Sequence, residues 1–166
     1  MPPKYKPITD YLTEDGLKKL REAFIAGPPP ALSTPLLTVY GSSKAFVDSL
    51  VDFAKSCVPD TTPPPRDTLS IQDRERCIIA LLCSRREDIE LSIHIYLALM
   101  TGVSILEIAN IMLLASMYTG VDNLTRGLLV YTTTLETLSC QANPEPQKVV
   151  DALTDTFDRY VPACGT

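Results

Sequence analysis

Glu87-Asp88-Ile89-Glu90-Leu91-Ser92-Ile93-His94-Ile95-Tyr96-Leu97-Ala98-Leu99-Met100-Thr101-Gly102 is the stretch that decides the fold. It has no strand-like alternation, it opens on acids that suit the first turn of a helix, and it closes on a glycine fit for the position just past a helix end. Between those ends it is apolar nearly all the way round, so the helix must be covered on every side. Residues three and four apart share a helix face. Glu87, Glu90 and the chain's single histidine, His94, therefore point toward one small volume, the pattern from which an acid/base site is built.

Reading outward, Leu69-Ser70-Ile71-Gln72-Asp73 places Ser70 as an N-cap with Asp73 three residues later, so a helix starts at Ile71 and runs to the charged Arg85-Arg86-Glu87-Asp88. Ser104-Ile105-Leu106-Glu107 repeats the cap and opens another all-round apolar helix through Tyr118, closed by Gly120. A helix from Leu124 to about Leu138 follows, weakened locally by Thr132-Thr133-Thr134, then a break at Pro144 and Pro146 and a last amphipathic helix near Lys148 to Tyr160. Upstream, Thr13 to about Ala26 is a short amphipathic helix. Pro35 to Cys57 reads as two helical pieces hinged near Gly41-Ser42-Ser43, set off by Pro28-Pro29-Pro30 and by the proline loop from Pro59 to Pro65. The expected fold is all-α, a single helical domain over residues 1–166 with N-terminal helices and proline-rich loops in 1–65, a core in 66–140 and a C-terminal helix in 141–166.

Composition narrows the function classes. With 166 residues, 45% of them hydrophobic, the chain can fill one core but is apolar for a monomer, which points to a homo-oligomer whose interfaces lie near the two most apolar helices. A net charge of −5 without a basic stripe argues against nucleic acid. The longest aliphatic run, Ile78 to Cys83, is far short of the roughly 20 residues a membrane helix needs. The start Met1-Pro2-Pro3-Lys4 lacks the apolar core of a signal peptide, so a cytoplasmic protein away from membranes is expected. Five cysteines, Cys57, Cys77, Cys83, Cys140 and Cys164, contain no C-x-x-C pair and suggest neither a disulfide framework nor a zinc knuckle.

From Leu69 to Gly120 the chain resembles the carboxymuconolactone decarboxylase family and its alkylhydroperoxidase D-like relatives. The resemblance is carried by Leu69-Ser70 with Asp73-Arg74-Glu75, Glu90-Leu91 with His94, Ala98-Leu99 with Gly102-Val103, Glu107-Ile108 and Tyr118-Thr119-Gly120-Val121. It implies a helical bundle that assembles into trimers or hexamers, with active sites near subunit boundaries. In the peroxidase-like branch the pattern is a glutamate, a C-x-x-C pair and a histidine. Counting back from His94 puts Glu87 and Glu90 at the two cysteine positions and Glu75 at the relay glutamate. Carboxylates cannot replace a dithiol in peroxide reduction, because the thiolate is the nucleophile and its disulfide carries the electrons. The non-redox, decarboxylase-like branch is therefore expected.

On that resemblance His94 is the general acid/base, Glu90 its orienting partner one turn earlier, and Glu75 a second proton-relay carboxylate. Glu87 is a further candidate whose alternative is a solvated helix start. Arg85 or Arg86 would anchor a substrate carboxylate, and Tyr96 and Tyr118 would donate to an oxyanion, with core packing as their alternative. No metal and no cofactor is expected. The expected reaction is proton transfer to a small lactone or polyketide-like acid, by decarboxylation, isomerisation or cyclisation, and the Pro, Ser and Thr content suggests fungal secondary metabolism. The competing readings are a catalytically silent oligomeric binding or structural relative, and a peroxidase-like redox protein.

Overall fold

A computed structural model describes residues 6–27, 69–141 and 144–158. A short 3-10 turn, Ile8–Asp10, precedes six α-helices: α1 Glu14–Ala26, α2 Ile71–Arg85, α3 Asp88–Thr101, α4 Ile105–Thr119, α5 Val121–Ser139 and α6 Pro146–Asp158. No strand occurs among the described residues. The helical pieces expected within Pro35 to Cys57 lie outside them, as do Cys57 and Cys164.

Three helices start where a side chain satisfies an orphan backbone N–H. Thr13, Ser70 and Ser104 accept from the amides of Gly16, Asp73 and Glu107. Ser70 also donates to the Asp73 carboxylate at 2.7 Å, which ties the cap to the first turn of α2. Gly102, at φ 104°, ends α3 in the left-handed region that costs glycine nothing. Two boundaries differ from the sequence expectation. Helix α5 begins at Val121, directly after Gly120 at φ 103° and without a side-chain cap. Helix α6 begins at Pro146, because proline at the first helical position loses no hydrogen bond.

Helix α3 is the hub, packed against α1, α2, α5 and α6. Leu91, Ile95, Tyr96, Ala98 and Leu99 are essentially inaccessible, along with Ile79 of α2, Leu135 of α5 and Leu153 of α6. Thr132 and Thr134 return their hydroxyls to the Leu128 and Val130 carbonyls, so the β-branched run stays helical. Between α2 and α4, Arg76 bonds both Asp73, at 2.6 Å, and Glu107, at 2.8 Å. Of the two, the bond to Glu107 ties α2 to α4, and the bond to Asp73 stays within α2. Its buried residues are Glu75, Ile79 and Cys83, a stripe at i, i+4 and i+8.

Helix α4 is different. Ile105, Ile108, Met112 and Ser116 are buried, whereas Leu106, Leu113, Leu114, Met117 and Tyr118 are exposed. Among the described residues no helix is long and apolar enough to cross a membrane.

Candidate active site

The α2 stripe delivers a carboxylate to the core, and α3 crosses it with an imidazole. His94 Nδ1 lies 2.9 Å from Glu75 Oε2, with the Glu75 side chain wholly inaccessible and that of His94 16% exposed. When Nδ1–H donates to the carboxylate, the tautomer is set and Nε2 becomes the ring atom that exchanges a proton. Glu75 Oε1 is also buried and has no hydrogen-bond partner among the described residues. A buried carboxylate oxygen left this way is costly unless a water or ligand completes it.

Helical spacing favours Glu90 as the imidazole's partner, but the carboxylate bonded to the ring is Glu75, nineteen residues upstream on the neighbouring helix. Glu90 stands half-buried in the first turn of α3. Glu87 is the N-cap residue of α3, makes no side-chain cap bond, and approaches Arg85 only at 3.9 Å in an exposed setting. Glu87, Glu90 and His94 do not converge into a group that could hold a metal ion, and no such group of three exists among the described residues.

The other candidates are dispersed. Tyr96 is fully buried, its ring edge-on to Phe24 of α1 at 5.8 Å, and its hydroxyl has no partner among the described residues. Burial pushes its phenol well above the ordinary value. Tyr118 is 86% exposed at the far end of α4. Arg85 is exposed at the end of α2. Arg86 donates from Nε to Asn123 Oδ1 at 2.7 Å and lines an open cleft of about 810 Å³ against α5; among the described residues neither His94 nor Glu75 lines that cleft.

Sequence spacing does not reveal Asn123, which is buried and joins α2 to α5 by accepting from Arg86 and donating to the Ser84 and Thr119 carbonyls. Its only signal is an amide side chain two positions after a helix starts. Among the described residues the cysteines form no disulfide. Cys77 is exposed and Cys83 is buried; both are free thiols, and burial pushes the Cys83 thiol up and away from the reactive thiolate.

A family model, that of the carboxymuconolactone decarboxylase family, matches residues 46–133. The match contains Glu75 and His94 and extends on both sides of the Leu69 to Gly120 stretch. No curated protein and no solved structure matches. With more than half of its length covered, including both members of the buried carboxylate–imidazole pair, the chain belongs to the carboxymuconolactone decarboxylase family.

Proposed function

We propose that this chain is a cofactor-independent acid/base enzyme that acts on a lactone or polyketide-like acid by decarboxylation, isomerisation or cyclisation. One observation carries the reading: Glu75, without solvent exposure, spends one oxygen on His94 and leaves the other without a partner among the described residues. A histidine held only for packing gives no reason to bury a carboxylate beside it. A proton carrier does, because the carboxylate orients the ring and supports the imidazolium.

In the decarboxylation version, the bond to the substrate carboxylate breaks and its electron pair moves into the conjugated carbonyl, giving an enolate as carbon dioxide leaves. His94 Nε2–H then delivers a proton to carbon, and the ring recovers its proton from solvent. In the isomerisation version the ring first removes a proton from one carbon and returns it to another. General acid/base assistance of this kind contributes about 10²- to 10⁴-fold in rate. Glu75 acts through the ring and is a positioning residue. Glu90, one turn before His94, is the second carboxylate proposed to shape the site.

The test uses carboxymuconolactone and a panel of lactone and β-keto acids in D₂O, with carbon dioxide release and deuterium at carbon followed by NMR. Turnover is expected to survive chelator treatment and the Cys77→Ser change. His94→Gln should reduce it by about a hundredfold or more. Unchanged deuteration in His94→Gln would overturn the assignment. Loss of turnover in Cys77→Ser would favour the redox reading instead.

A further inference from the structure

Among the described residues Arg86 is the only non-glycine residue with positive φ, at 64°. It occupies the C-cap of α2, a position where glycine is the unstrained choice and where any side chain costs free energy. Strain retained at one position is a pointer to use, provided the side chain has somewhere to act. Here it has. Arg86 lines the cleft of about 810 Å³ between the N-terminal turn and α5, a volume in the range of small-molecule sites.

The charges around that cleft do not cancel. Arg126 is neutralised by two bonds to Asp88, at 2.8 and 2.5 Å. Lys6 lies over the Tyr11 ring at 4.9 Å, and among the described residues neither Lys6 nor Arg86 has a carboxylate partner. Among the described residues one lining anion, Asp122, stands against these two cations, a balance of one positive charge in a protein whose net charge is −5. Arg86 spends Nε on Asn123, and a guanidinium has four further N–H donors in a fork that fits a carboxylate. Ile8, Leu128 and the exposed Leu129 supply apolar wall, and the hydroxyls of the lining Thr125 and Thr132 are spent on the Val121 and Leu128 carbonyls.

We propose that this cleft is a second ligand site, separate from Glu75 and His94, which binds a monoanionic amphipathic acid: a carboxylate seated on Arg86 and Lys6, with an alkyl or aryl body along Ile8, Leu128 and Leu129. A diacid would bring its second charge toward Asp122, and an amine would meet the two cations. The proposal is independent of the chemistry assigned to His94.

Decanoate, titrated calorimetrically into the full chain, is the probe, and decylammonium is the control with the same body and the opposite charge. Decanoate is expected to saturate one site per chain and decylammonium to bind much more weakly. Arg86→Gly keeps the left-handed backbone that glycine prefers, so it removes the anchor without backbone strain, though with loss of the bond to Asn123; it should weaken decanoate about tenfold or more, with urea unfolding confirming that the variant is folded. Lys6→Gln, in the N-terminal segment, should weaken it several-fold, and Arg85→Gln, outside the cleft, should leave it unchanged. Equal binding of the two probes, no saturable decanoate binding at millimolar concentration, or equal losses in Arg85→Gln and Arg86→Gly would each overturn the proposal.

Discussion

Removing the imidazole from Glu75 tests the candidate site without knowledge of its substrate. In His94→Ala the Glu75 side chain, without solvent exposure, loses the 2.9 Å bond that is its only one among the described residues. Breaking a buried pair by deleting one partner costs about 3–5 kcal/mol, a large share of the 5–15 kcal/mol by which a domain is typically stable. Glu75→Gln keeps the volume and a hydrogen bond to the ring but removes the charge, for about 1–2 kcal/mol. Once position 75 is neutral, deleting His94 no longer strands a charge. The double variant should therefore be more stable than the sum of the single changes allows, by roughly 2 kcal/mol of coupling. Urea unfolding at fixed protein concentration reads this directly. With a slope of about 2 kcal/mol per molar, His94→Ala moves the midpoint by roughly 2 M. A loss below about 1 kcal/mol in His94→Ala, with additivity in the cycle, would show that the pair is solvated and the reasoning wrong.

Two tyrosines give opposite expectations. Burial raises both phenols, but Tyr131 donates to the Ile105 carbonyl at 2.6 Å whereas the Tyr96 hydroxyl has no partner among the described residues. Tyr131→Phe should cost about 1 kcal/mol in urea unfolding and Tyr96→Phe should be neutral or stabilising; a comparable loss in both would mean that Tyr96 has a partner. A Cβ at Gly127 would stand 2.7 Å from Cys83 Sγ, so Gly127→Ala should lower stability by about 1–2 kcal/mol despite alanine's better helix propensity. Cys83→Ala in the same chain should recover part of that loss, and no recovery would place the strain elsewhere. Light scattering is expected to give a multiple of the 18.2 kDa chain mass, a trimer or hexamer, and Met117→Asp on the exposed face of α4 to shift it toward the monomer. A monomer mass for the unaltered chain would remove the oligomer.

What the sequence disclosed was mostly local. Ser70 and Ser104 announce their helices because a cap is settled within four residues, and Gly102 ends α3 because its conformation is a property of one residue. Arg86 is a candidate anchor on sequence, but its left-handed conformation is not legible there: nothing nearby says that an arginine will take a glycine's conformation, and its tie to Asn123 spans 37 positions. The imidazole's partner is equally non-local. Spacing along α3 singles out Glu90, while the bonded Glu75 arrives on another helix, and only the family resemblance named it in advance. One signal was nevertheless present. Glu75 sits in register with Ile79 and Cys83, so a carboxylate occupies the buried stripe of α2, a position where charge needs a partner.

Helices α3 and α4 show where hydrophobic pattern stops being informative. Both are apolar almost all the way round, and on sequence both need covering. In the structure α3 is enclosed by four other helices, which leaves His94 a small window beside an otherwise inaccessible row. Helix α4 buries one stripe, Ile105, Ile108, Met112 and Ser116, and turns Leu113, Leu114 and Met117 outward. What separates the two is topological position, which the spacing of apolar residues along one helix does not encode. A cluster of large aliphatic side chains facing water exceeds the scattered exposure normal for a monomer. Among the described residues, five of the ten exposed large hydrophobic side chains lie on α4, the helix that the Arg76–Glu107 pair joins to the helix carrying Glu75. A partner covering α4 would therefore sit on the helix that packs directly against the one carrying Glu75.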